Sequence, residues 1–269
     1  MVTELVAADG RGVRVRVMLE PRTVGAQNFV QVSKELAAAG VAVTQTPPAF
    51  DAHHNVDHAK FCVIDDKELL YGTGNMVRSG LGGVTLGPYQ NRDFWIEDGR
   101  AASVSAARAL FDADLARKST TGLDMSALVL TPDNADQKIG ALIDGAQHRL
   151  FVYNQSLSDD DLTGRLVRAK QRGVDVHVLL GYQPGFGSSP PANDPALAKL
   201  TAAGATAQYL KSHYLHGKAI VADERAYLGS QNFTNGGLQV NREVGEIFDD
   251  ADVVKTLAAT FAKDEASPE

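Results

Sequence analysis

Two histidines that each precede a lysine by two residues are the sharpest chemical feature of this sequence: His58-Ala59-Lys60 and His216-Gly217-Lys218. Alternate residues of a strand share a face, so each imidazole is expected beside its ammonium. Each pair runs on to an aspartate in turn-like sequence, Asp65 or Asp223. A glycine-led segment follows, Gly72-Thr73-Gly74-Asn75 in one case and Gly229-Ser230-Gln231-Asn232 in the other. The sequence thus offers an imidazole, a cation, an amide and a hydroxyl, twice over. That set suits a phosphoryl group. Lys60, Lys218, Asn75 and Asn232 would donate to its equatorial oxygens, Thr73 and Ser230 are candidate substrate-binding hydroxyls, and the imidazoles would flank phosphorus. Two imidazoles allow double displacement, in which one attacks phosphorus and the other first protonates the leaving alcohol and then deprotonates the incoming water or alcohol. Two lysines can neutralise the charge a metal ion would carry, so neither a metal nor another cofactor is expected.

The elements that must position these groups are also written twice. Arg11-Gly12-Val13 to Leu19 reads against Arg172-Gly173-Val174 to Leu180, each a helix end, a glycine stop and a strand with alternating valines. Helical stretches closing on Ala38-Ala39-Gly40 and Ala202-Ala203-Gly204 come next, then the His-x-Lys strands. Asn91-Arg92-Asp93-Phe94 matches Asn241-Arg242-Glu243-Val244, and both copies finish on an amphipathic helix, around Val104 to Leu115 and Val253 to Phe261. The offset is 158 residues at the histidines and 161 at Gly12 and Gly173, a near-constancy that duplication produces. The fold expected is α/β, with one half over residues 1–120 and a second over 132–265, joined by a polar, turn-rich stretch. A helix from Asp136 to His148 and the strand Leu150-Phe151-Val152-Tyr153-Asn154 have no counterpart in the first half. That half is therefore expected to be N-terminally incomplete, with an exposed sheet edge.

On these motifs the sequence resembles the phospholipase D superfamily, whose signature is H-x-K-x4-D followed by a G-S-x-N element. Both copies are present, and the pattern covers nearly the whole chain; Thr73 stands where the family usually has serine. The resemblance implies two homologous mixed-sheet halves packed around a pseudo-two-fold axis, with one active site between them. It implies a covalent phosphohistidine intermediate, with His58 as nucleophile by family habit and His216 as general acid/base. Asp65 and Asp223 would be mainly structural, while Asp93 and Glu243 would each orient a histidine. Pairing of those two carboxylates with the adjacent Arg92 and Arg242 is the alternative.

Composition bounds the substrate. Net charge is −7, and no Lys/Arg-rich run exists to grip a polyanion along several phosphates. A phospholipid at a membrane surface is the substrate this favours, by hydrolysis or transphosphatidylation. An endonuclease on the same chemistry is the alternative, and a catalytically inactive binding module is the third reading if the first half cannot complete the site. No apolar run is long enough to span a membrane. His53 and His54 with His58 invite a metal reading, but no cysteine or carboxylate set completes it. Ser79 to Gly83 reads as a flexible loop, and Tyr182 to Pro195 as a connection or an aromatic rim on the cleft. The single cysteine, Cys62, reads as a small buried hydrophobe. Neither compartment nor oligomeric state is legible.

Overall fold

The computed structural model describes residues 1–24, 26–46, 56–83, 90–182 and 191–267. The first half runs α1 (Val2–Gly10), β1 (Arg16–Leu19), α2 (Pro21–Val24), α3 (Ala26–Ala38), β2 (Ala42–Gln45), β3 (Phe61–Ile64), β4 (Glu68–Gly72), β5 (Asn91–Arg92), β6 (Trp95–Asp98) and α4 (Ala101–Leu115). The second runs β7 (Val129–Thr131), α5 (Ala135–Gly145), β8 (Arg149–Asn154), α6 (Asp160–Gln171), β9 (Asp175–Gly181), α7 (Asp194–Ala202), β10 (Thr206–Leu210), β11 (Tyr214–Leu215), β12 (Lys218–Ala222), β13 (Arg225–Gly229), β14 (Glu243–Phe248) and α8 (Ala251–Ala266). Gly12 and Gly173 both sit at positive φ, 89° and 92°, just past α1 and α6. Only glycine turns the chain there without strain, and the next strand starts from that turn.

The second half carries one seven-stranded mixed sheet in the order β10-β9-β8-β12-β13-β14-β7. In the first half the equivalent strands form two separate pieces, β1-β2 and β3-β4-β6. The break falls where β8 lies in the second half, parallel to β9 and antiparallel to β12. Among the described residues no strand joins β1 to β3, as the unequal halves of the sequence suggested. Asp223 shows what is lacking: its carboxylate accepts the backbone N–H groups of Gln147, His148 and Arg149 at 2.7–2.9 Å, tying the start of β8 to the β12–β13 turn. Asp65 has the same left-handed backbone, φ 53° in both, but no such partners among the described residues. The stretch between the halves is less loop-like than its sequence suggests. Val129-Leu130-Thr131 pairs with β14 and extends the second sheet; three residues are too few for a visible strand period.

The outer face of the large sheet is covered by α5, α6 and α7, burying Ile139, Leu142, Leu162, Leu166 and Leu200 against Val152, Val176, Val178 and Ile220. Its inner face meets the first half. Leu69 and Tyr71 of β4 and Val104 and Leu110 of α4 pack there with Leu228, Val244 and Leu257 of the second half. Each such side chain contributes roughly 1.5–3 kcal/mol by leaving water, so the join between halves is a true core. Two short backbone pairings stitch it at the rim. β11 runs parallel to β5, and Asp57 forms a bridge with Arg242.

Candidate active site

Those two stitches lead straight into the two histidines. His58 N–H donates to the Arg242 carbonyl at 2.8 Å, and His216 N–H to the Arg92 carbonyl at 3.1 Å. Each histidine thus takes its backbone position from the other half. Its side chain does the same: His58 Nδ1 lies 2.8 Å from Glu243 Oε2, and His216 Nδ1 lies 2.9 Å from Asp93 Oδ1. Each carboxylate meets a histidine of the opposite half, so the partnership crosses between the halves.

The carboxylates are themselves held. Asn241 Nδ2 donates to Glu243 at 3.1 Å and Asn91 Nδ2 to Asp93 at 3.2 Å. Thr73 Oγ1 donates to Asp93 at 2.9 Å while accepting from Phe94 N–H at 3.0 Å. Ser230 Oγ accepts from Val244 N–H at 3.0 Å. Both hydroxyls are fully buried. This corrects the expectation that Thr73 and Ser230 bind substrate: each hydroxyl is spent on the carboxylate-bearing strand. Burial pushes the Glu243 carboxyl upward, but His58, Lys60 and Ser230 outweigh it and keep the group below the usual range. Asp93 behaves likewise, with His216, Thr73 and Lys218 overcoming burial. An ionised carboxylate only accepts, so each Nδ1 carries the proton and each Nε2 presents its lone pair. No hydrogen bond engages either Nε2 among the described residues.

Lys60 and Lys218 are buried beside the rings. Lys60 Nζ donates to the His58 carbonyl, and Lys218 Nζ to the His216 carbonyl at 2.5 Å and toward Thr73 O, across the halves, at 3.4 Å. Burial lowers Lys60 to about 8, against the pull of Glu243, Asp57 and Asp93. Burial and the neighbouring Lys60 hold Lys218 well below the ordinary lysine value. Burial also lowers both imidazoles, with the two ammoniums adding to it; His216 falls to about 4. Two buried cations and two neutral imidazoles at one point form a site made for an anion, whose charge would relieve all four groups.

Asn75 and Asn232 follow β4 and β13, and their backbones are closely approached by Gly80 and Gly237. A Cβ on Gly80 would lie 2.2 Å from the Asn75 carbonyl oxygen, and one on Gly237 2.2 Å from that of Asn232. An N-x4-G spacing in both copies was the available signal. Asn232 is half-buried, and its Oδ1 has no hydrogen-bond partner among the described residues; Asn75 is exposed. Cys62 is half-buried near Met76. His53 and His54 lie outside the described residues, as does most of the Tyr182 to Pro195 stretch. Among the described residues no group of three or more His, Cys, Asp and Glu side chains is placed to hold a metal ion. No helix described is long and apolar enough to cross a membrane.

Solved structures share this architecture. Phosphatidylserine synthase from Haemophilus influenzae superposes over 98% of this chain and 76% of its own, with a TM-score of 0.70 at 13% identity. Polyphosphate kinase from Porphyromonas gingivalis gives the same TM-score at 17% identity, covering 98% of this chain and 43% of its own. At such identities the likeness is one of fold. Among curated proteins, a cardiolipin synthase of Clostridium perfringens is 24% identical over 94% of this chain and 59% of its own length. Cardiolipin synthase 2 of Bacillus cereus is 24% identical over 86% and 50%. The chain thus spans roughly half to three-fifths of the length of these relatives. The family described as "Cardiolipin synthase, PLD-like domain" matches residues 1–115 and 139–265. With nine-tenths of its length matched, this chain belongs to that family, within the phospholipase D superfamily.

Proposed function

We propose that the protein transfers a phosphatidyl group from one alcohol to another through a phosphohistidine intermediate. The observation that carries this is the reciprocal pair of carboxylate-held, neutral imidazoles beside two buried lysines. His58 is the more open ring, with 17% of its side chain exposed against 9% for His216, and serves as nucleophile. Its Nε2 lone pair forms the N–P bond as the P–O bond to the leaving alcohol breaks. Once the phosphodiester anion offsets Lys60 and Lys218, His216 Nε2 takes up a proton from solvent and passes it to that oxygen. His216 then removes the proton of the incoming alcohol, which attacks phosphorus and frees His58. Lys60 and Lys218, with Asn75 and Asn232, hold the equatorial oxygens through both steps.

A lipid substrate is supported by the curated relatives named cardiolipin synthases and by the net charge of −7. In that reading the acceptor is a lipid hydroxyl. The test is turnover of phosphatidylglycerol vesicles, phosphatidylcholine vesicles and single-stranded DNA side by side, with EDTA present throughout. Diphosphatidylglycerol should form from the first, and His58→Ala or His216→Ala should each remove on the order of 10³-fold of the rate. DNA cleavage without lipid turnover would replace this reading with a nuclease.

A further inference from the structure

Each half ends in a helix whose last buried aspartate reaches an arginine of the other half. Asp114 on α4 receives Arg242 Nη2 at 3.0 Å, and Asp264 on α8 receives Arg92 Nη2 at 2.7 Å. The Arg242 and Asp114 side chains are each only 2% exposed. Arg242 Nη1 also donates to the Thr131 carbonyl at 3.2 Å and lies 3.3 Å from Asp133. Asp264 also accepts the Tyr153 hydroxyl at 2.6 Å, and Arg92 lies 3.3 Å from His213. Both arginines and both aspartates repeat at an offset of 150 residues, so the device was duplicated together with the site.

The position of these arginines gives the pairs their meaning. Arg242 immediately precedes Glu243, and Arg92 immediately precedes Asp93. The arginine carbonyl holds the backbone of the same histidine whose ring the adjacent carboxylate orients. Arg242-Glu243 therefore grips the first half at three points: the His58 backbone, the His58 ring and Asp114. Arg92-Asp93 grips the second half in the same way at His216 and Asp264. A forked guanidinium with several acceptors fixes the local backbone in direction as well as distance. That precision matters, because misplacement of a catalytic group by about 1 Å can cost about 10²-fold in rate.

We infer that Arg242–Asp114 and Arg92–Asp264 are positioning pairs, the first setting the geometry of His58 and the second that of His216. The inference rests on the proposed role of the two histidines, but its main readout needs no substrate. Nitrogen-15 spectra of the imidazoles in the full chain should show Asp114→Asn moving the Nδ1 signal of His58 and sparing His216. Asp264→Asn should do the reverse. Turnover of phosphatidylglycerol should fall by about 10- to 100-fold in kcat, with KM within about threefold. Arg165→Gln removes ion pairs from α6 to Asp144 on α5 and to Asp161 on α6 itself and should alter neither readout. Should an aspartate variant not fold, Arg242→Lys and Arg92→Lys keep the charge, lose the fork and carry the same expectation. Each variant moving both rings alike, or neither ring while the Tm falls, overturns the inference. Selective ring shifts in a protein inactive on lipid would uphold it and discard the substrate.

Discussion

At neutral pH His58 and His216 are uncharged although each faces a carboxylate, because burial and the two nearby ammoniums outweigh that partner. The residue types of the site were legible in the sequence, since two copies of one pattern fixed His58, Lys60, Asn75, His216, Lys218 and Asn232. The cross-pairing was not. A carboxylate 35 residues after His58 and one 185 residues after it are equally good candidates until the halves are docked. Thr73 and Ser230 misled for a related reason: a hydroxyl beside a site reads as a ligand donor, and only packing shows that another group consumes it. Glu246 was invisible for the same cause, being buried at the join by the other half's strand and helix. It lies against Tyr71, Ser103 and Asp98, with Arg100 Nη2 3.3 Å away, and burial followed by Asp98 raises it to about 7. The folded pKa is raised, so the folded state keeps a proton there that the unfolded chain gives up near 4.5. Stability is then fully present below about 4.5 and is lost as pH rises through 7. Glu246→Gln should match the parent near pH 4.5 and exceed it at pH 8 by on the order of 2–3 kcal/mol. Chemical denaturation at the two pH values measures this, and an equal difference at both would refute it.

At the scale of elements, the repeat reported strand and helix order because each unit carries its own glycine stop, valine alternation and closing helix. It also foretold the unequal halves, since α5 and β8 had no first-half partner. What no local pattern could give was the outcome: the first sheet lies in two pieces, and among the described residues no strand start reaches the Asp65 carboxylate as β8 reaches Asp223. Backbone N–H groups of β1 and β3 that face this gap have no strand partner among the described residues, whereas β9 and β12 are bonded on both sides. Amide hydrogens exchange through local opening, so a strand with one bonded edge opens at lower free energy. The gap-facing amides of β1 and β3 should exchange on the order of 10²-fold faster than their counterparts in β9 and β12. Equal protection in the two halves would contradict the split sheet.

The whole molecule is a reciprocal assembly: each half supplies a histidine and a lysine, and each histidine is aimed by the other half. A single half presents a histidine without its carboxylate, its arginine carbonyl or the second lysine, so the site exists only where the halves meet. The overall charge of −7 fits a catalyst whose phosphate pocket draws its positive charge from the buried Lys60 and Lys218. A nuclease holding several phosphates would lose affinity steeply with salt, whereas one phosphate pocket plus apolar contacts gives a shallow dependence. The central claim is the covalent bond to His58, and trapping it is the most direct measurement. Phosphatidylglycerol labelled with ³²P at its phosphate is mixed with the protein in EDTA, quenched during turnover and digested. Acid-labile, base-stable label on the peptide containing His58, absent when His58 is replaced by alanine, is the result expected. Turnover with no label at His58, or turnover that requires an added divalent ion, would contradict the account.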